Sequence, residues 1–353
     1  MGKSLAICYK SISGGTSVRP DLDLHFNLWG GYSKNDKESF LDIGLKIADI
    51  IDIASLDIML PVQLDKSNVS DLGGIISRDN QLLISIFNEN YHTNTNNTLL
   101  REVFLGPSNT TKFYIREVTI NEDRQQNEID VLTYRNQSTV RLKKRLFDSC
   151  RSSLNGLPIY IRLRVNLGKK LNVFCQDYGP NTWFRRVILN QFQKTHFVDF
   201  RINETRNLDS ATLNQIFSRK KGFFNITDIR LFIVRGIEYE YISSNKETKY
   251  LRQLESELWT KYVFGKSNRQ SELKGLLAHY WHSQPSISNS NLLQDFYVFA
   301  KYKKSEIHIT YLLLFVVLSG LLVNLIYDVL KGNYLTKLWL LIEQWLKCTP
   351  PPA

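Results

Sequence analysis

The stretch PIYIRLRV, residues 158–165, puts Ile159, Ile161, Leu163 and Val165 on one side of an extended chain and Tyr160, Arg162 and Arg164 on the other. Successive side chains of a strand point to opposite faces. A period of two with one apolar and one charged side predicts a half-buried strand of an antiparallel sheet. Working outward, the first two-thirds of the chain is rich in similar segments: LAICYK, DLHFNLW, LDIGLKI, IIDIASLDIMLP, GGIISRDNQLLISIFN, REVFL, KFYIREVTI, EIDVLTYR and STVRLKKRLF. They are short, rich in Ile, Val, Tyr and Phe, and separated by Gly, Asn, Asp and Ser, so they read as strands. The run LDIGLKIADIIDIASLDIML fits a helix nearly as well.

Helical signals come later. TWFRRVILNQFQ, residues 182–193, carries a helical apolar stripe, and Asp209 or Ser210 is placed to cap a helix running to Phe217. A strand pair is expected at 228–234 and 238–242, then helices at 246–264 and 269–281. The expected class is α+β, a strand-rich antiparallel domain with later helices over residues 1–300, with a weakly marked internal boundary near residue 150. No fixed-period repeat occurs, which argues against solenoids and propellers.

The C-terminal region has a different character. Between Glu306 and Asp328 lie 21 residues without Asp, Glu, Lys or Arg, reading IHITYLLLFVVLSGLLVNLIY. A hydrocarbon layer about 30 Å thick takes ~20 helical residues, so residues 307–327 are expected to form a transmembrane helix. Tyr311 and Tyr327 stand near its ends, where aromatic rings favour the interface. YLTKLWLLIEQWLK, residues 334–347, is too short to cross comfortably, but its apolar surface and thin polar stripe fit an amphipathic helix lying in the interface. Lys301, Lys303 and Lys304 before the span balance Lys331, Lys337 and Lys347 after it, so local charge does not choose an orientation. No secretory apolar run opens the sequence, and four cysteines in 353 residues show no pairing pattern. Both features lead to the expectation of a cell-membrane protein, single-pass, with its soluble domain in the cytoplasm.

Charge is unevenly distributed. From Arg141 to Lys170 stand Arg141, Lys143, Lys144, Arg145, Arg151, Arg162, Arg164, Lys169 and Lys170 against one acid, Asp148, while the whole chain carries +11. Arg185 and Arg186 follow. Guanidinium forks grip phosphates in bidentate fashion. Arg141, Lys143, Lys144, Arg145, Arg162, Arg164, Lys169, Lys170, Arg185 and Arg186 are therefore expected to form a basic surface for anionic phospholipid head groups or nucleic acid.

Signs of catalysis are few. Gly265-Lys266-Ser267 ends like a phosphate loop, but Thr260 holds the position of the required first glycine. GxSxG, HExxH and CxxC are absent from the sequence, and no cofactor is expected. Three groupings of ligand-type residues read as structural. His279 and His282 would share a helix face; Asp21, Asp23 and His25 would share a strand face; Asp199, Arg201 and Asn203 suggest an internal ion-pair network. No metal site is expected from any of them.

A strand-rich basic domain, a single span and an aromatic amphipathic helix resemble, in layout, the membrane effectors of prokaryotic antiviral (abortive-infection) systems, such as those encoded beside Argonaute proteins. The resemblance lies in organisation rather than in a motif. It implies a domain that senses a partner or activating complex and a C-terminal helix that disrupts or depolarises the membrane. Ser319, Gly320 and Asn324 would then mediate helix association, giving a homo-oligomer on activation. The competing expectations are a passive tethered adaptor that binds nucleic acid or a protein complex, and a tethered enzyme.

Overall fold

The computed structural model describes residues 3–13, 19–30, 38–94, 99–107, 110–120, 126–179, 193–208, 210, 213–214, 216, 221–265, 273–285, 295–305, 309–331 and 334–347. Among these the chain is α+β and dominated by antiparallel sheet. Two compact units are distinguishable. One comprises Met1–Asp177 with His196–Lys303, and the other Tyr178–Thr195 with Lys304–Ala353.

The largest sheet runs in the order Tyr250–Gln253, Leu276–Ser283, Asn225–Gly236, Asp21–Trp29, Phe40–Ile47, Ile159–Asn166, Thr111–Arg116, Leu100–Leu105 and Tyr91–Thr93. Val69–Asp71 also pairs with Ile159–Asn166. Asn225–Gly236 lies parallel to Asp21–Trp29, and Ile159–Asn166 pairs in parallel with Thr111–Arg116. A second sheet orders Lys221–Phe223, Ala6–Ser11, Ile53–Leu60, Gln137–Leu142 and Ile129–Tyr134. A third orders Cys175–Tyr178, Gln193–Ile202, Phe296–Ser305 and Tyr239–Ser244.

Alternation explains the packing. Leu22, Leu24, Phe26 and Leu28 of one central strand, with Ile159, Ile161, Leu163 and Val165 of another, enter a core shared with Ile7 and Ile58 of the second sheet and Phe200 and Val298 of the third. The opposite face of the same strands is also covered. Trp29 and Tyr160 pack there against Leu82, Leu83, Ile86 and Phe87 and against Trp259 and Tyr262. Those partners come from helices Asn80–Phe87 and Ser256–Phe264. The central sheet is therefore buried on both faces rather than half-buried.

Several sequence expectations need correction. Residues 73–88 form helices Gly73–Ser77 and Asn80–Phe87 rather than a strand. The Asp79 side chain caps the second by accepting from the Gln81 and Leu82 amides at 3.0 and 3.3 Å, and Asn88 closes it at φ 58°. STVRLKKRLF divides into strand Gln137–Leu142 and helix Lys144–Arg151. The ambiguous run after Phe40 forms two strands, Phe40–Ile47 and Ile53–Leu60. Of the 246–264 helix, only Ser256–Phe264 is helical, after strand Tyr250–Gln253.

Of the expected 269–281 helix, residues 269–272 lie outside the described residues, and 276–281 belong instead to strand Leu276–Ser283, entered through Gly275 at φ +74° and held in register along Asn225–Gly236. Asn225–Gly236 and Tyr239–Ser244 are both strands, but they belong to different sheets. Phe147, Cys150, Leu154 and Ile159, on either side of the weakly marked boundary near residue 150, share one core. The expected helix at 182–193 lies largely outside the described residues.

Candidate functional site

Two features bear on function: the C-terminal helices and the polar interior beneath the basic stretch. Helix Ile309–Lys331 exceeds the expected 307–327 span at its C-terminal end, and residues 306–308 lie outside the described residues. Among the described residues one helix, over Leu313–Lys331, is long and apolar enough to cross a membrane, and none of that stretch is buried. Leu313, Leu314, Val316, Val317, Leu321, Leu322 and Val323 are all exposed. Apolar side chains stay out of water only if something apolar covers them, and a helix of this length is long enough for a bilayer to do so. The Ser319 hydroxyl donates to the Val316 carbonyl at 2.9 Å, so its hydrogen bond is made within the helix. A Cβ on Gly320 would meet open space, and Asn324, one turn on, is exposed on the same side. Helix Tyr334–Lys347 follows with the expected bounds, and its Leu338, Trp339, Leu340, Leu341 and Ile342 are exposed.

The ten cations expected to form one surface have different fates. Arg162 is 1% exposed, so its guanidinium belongs to the interior. Arg164 points the same way and grips Asp42, itself 0% exposed, through Nε to Oδ1 at 2.7 Å and Nη2 to Oδ2 at 3.1 Å. Alternation was read correctly, but the charged side of this strand faces the two covering helices and not solvent. Arg141 is bound bidentately to Asp57 at 2.8 and 3.0 Å. Lys221 also pairs with Asp57. Burial alone would push the Asp57 carboxyl up, but hydrogen bonds from Arg141 and Lys221 outweigh it and hold the pKa below its usual value. Lys143 pairs with Asp130 at 2.9 Å. Lys144, Arg145, Lys169 and Lys170 are exposed. Arg185 and Arg186 lie outside the described residues. The surface-facing part of the cluster is thus much smaller than its sequence count.

Asp42 organises the interior. Besides Arg164 it accepts from the Tyr262 hydroxyl at 2.7 Å and from Trp29 Nε1 at 3.0 Å. Tyr262 in turn accepts from Arg162 Nε at 2.8 Å, and Tyr160 accepts from Arg162 Nη1 at 2.8 Å. The Tyr160 hydroxyl stands 3.4 Å from His25 Nδ1, a hydrogen bond whose direction follows the ring's tautomer. Burial first, then the nearby cations Arg230, Arg162 and Lys46, holds the His25 pKa well below its usual value, so the ring is neutral. Room for the phenol comes from Gly44 on the neighbouring strand, where a Cβ would collide with the Tyr160 oxygen. Sequence reasoning missed this network, because Tyr262 and Asp42 carry no local signal of their partnership.

The smaller groupings are structural. His279 and His282 lie on a strand, three residues apart and so on opposite faces. His279 packs against Tyr241, Trp281 and Tyr302, while His282 Nε2 stands 2.5 Å from Asp228 Oδ1. Asp23 accepts from Thr227 at 2.6 Å, separate from the buried His25. Arg201 binds Asp199, as expected, and Glu204, while Asn203 accepts from the Ile7 amide at 2.9 Å instead of joining the ion pairs. Among the described residues, no group of three or more His, Cys, Asp or Glu is arranged to hold a metal ion. The chain matches no protein-family model, and no curated protein is similar to it.

One half-buried acid makes stability pH-dependent. Asp71 ends the short strand on Ile159–Asn166, and burial pushes its carboxyl up to about 7 against the lowering effect of the Val118, Gly74 and Gly73 amides. An acid with a raised folded pKa keeps a proton that the unfolded chain has released. Stability from this group therefore falls as pH rises from the unfolded value of ~3.9 towards 7, and levels off above. Asp71→Asn lacks that proton. It should gain on the wild type by about 2 kcal/mol between pH 5 and pH 8 in chemical denaturation. An unchanged difference across that range would show that Asp71 ionises normally.

Proposed function

We propose that this chain is a membrane-anchored effector, with its globular unit on the cytoplasmic side and its C-terminal helices acting in the bilayer. Prokaryotic antiviral defence, through membrane disruption or depolarisation on activation, is the setting we assign it. The observation that carries the reading is an unburied apolar helix, Ile309–Lys331, followed directly by a second exposed apolar helix, Tyr334–Lys347. A tether needs the first helix alone. The second adds a Trp- and Leu-rich surface suited to the interface, where it perturbs lipid packing. Asn324 inside the span supports the same reading, since an amide facing lipid is costly unless another helix provides a partner. Self-association through Asn324 and Gly320 is worth only ~0.6–2 kcal/mol per contact. The globular unit, through a protein partner or activating complex, then decides when the helices cluster. Lys144, Arg145, Lys169 and Lys170 supply the exposed charge for anionic phospholipids.

Replacing Ile309–Lys331 by a polyleucine helix of equal length is the test. Cells expressing the active wild type should lose membrane potential, and the chimera should retain membrane insertion while losing most of that effect. Asn324→Leu combined with Gly320→Leu should weaken it in part. A chimera that depolarises as fully as the wild type would make the helix a tether. It would shift the reading to a passive adaptor whose exposed lysines and Arg145 hold nucleic acid or a protein complex at the membrane.

A further inference from the structure

We propose that the cavity beside Arg162 is a binding site for one small monovalent anion of halide size. The guanidinium of Arg162 is buried, and its Nε and Nη1 are spent on the phenol oxygens of Tyr262 and Tyr160. Its Nη2 is buried and has no hydrogen-bond partner among the described residues. Arg162 lines a cavity of about 20 Å³ together with His25, Asn27, Trp29, Trp259 and Ala278. A volume of this order holds one water-sized body.

Charge selects what that body is. A buried cation is stable only when paired. The nearest candidate acid, Asp42, is committed to both nitrogens of Arg164 and to Tyr262 and Trp29. Arg162 reaches it only through the neutral Tyr262 phenol, so among the described residues its positive charge has no carboxylate in contact. Water in the cavity would satisfy N–H donors but leave the charge. A halide satisfies both, and the indole rings of Trp29 and Trp259 provide the weakly polar walls that a large soft anion tolerates. Arg252 also lines the cavity but is paired with Glu255, which leaves Arg162 as the cation that an anion there would meet. Sulfate, phosphate and organic carboxylates are too large for a space of this order. This site is independent of the membrane reading and involves none of its helices.

The test uses the full chain in detergent micelles, unfolded thermally in sodium chloride, sodium bromide or sodium gluconate at one ionic strength. Chloride and bromide should raise the wild-type midpoint by a few degrees in a saturable way, while gluconate, too bulky to enter, should not. Arg162→Met removes the charge, and Ala278→Leu fills the cavity while leaving the charge in place. Both should abolish the difference between halide and gluconate. Either variant suffices if the other fails to fold, and broadening of the ³⁵Cl resonance by the wild type should vanish in the same variants. A wild type indifferent to halide, or variants that respond as strongly as it does, would overturn the site.

Discussion

Cutting the chain after Ser305 should move the protein from the membrane fraction to the soluble fraction. The deletion removes Ile309–Lys331 and Tyr334–Lys347, and with them the large exposed apolar side chains of the C-terminal region. Eleven Leu, Ile, Val and Phe residues lie between Leu313 and Ile326. At about 0.3–0.6 kcal/mol each at the centre of a bilayer, they contribute roughly 5 kcal/mol to insertion, a factor of several thousand in partitioning. Asn324 opposes this, and Ser319, bonded to Val316, opposes it less. The globular unit should lose little by the cut, since among the described residues its cores contain none beyond Tyr302. Fractionation by ultracentrifugation after alkaline carbonate washing reads the result. A truncated protein that still sediments with membranes at low salt and leaves them at high salt would instead make Lys144, Arg145, Lys169 and Lys170 a second, electrostatic anchor. One that sediments at all salt concentrations would refute the anchor.

Replacing Asp42 by alanine should destabilise the fold by about 3–5 kcal/mol, the usual cost of breaking a buried ion pair from one side. Three donors lose their acceptor at once: the Arg164 fork, the Tyr262 hydroxyl and the Trp29 indole. Arg164, with its side chain 11% exposed, would be left as a second buried cation next to Arg162. Stacking on Phe40, whose ring centre lies 3.8 Å from the guanidinium carbon, offsets only part of that. Urea unfolding should show a lower midpoint with an unchanged slope. The double variant Asp42→Ala, Arg164→Met should recover part of the loss, because the uncompensated charge goes with it. A loss below 1 kcal/mol, or a double variant worse than the sum of its parts, would show that water already reaches this network.

The sequence by itself determined whatever depends on local pattern. A run of 21 residues without a charge is long enough to span a bilayer whatever surrounds it, so the apolar helix was legible from composition and length. Strict alternation in PIYIRLRV set the strand Ile159–Asn166 and sorted its residues onto two faces. The spacing of Asp199 and Arg201 made their pairing readable, since residues two apart on a strand share a side. What covers a face is not local. Tyr262 comes from 100 residues beyond Arg162 and 220 beyond Asp42, so no window of sequence shows that the arginines of this strand meet a helix rather than solvent. The same reason accounts for residues 276–283, whose helical pattern yields to pairing along Asn225–Gly236, and for residues 80–87, whose apolar positions satisfy a helix once a sheet face is there to receive them. Tertiary structure alone decided which of the basic residues stay at the surface, because desolvation and ion pairing depend on neighbours that the chain brings together only by folding.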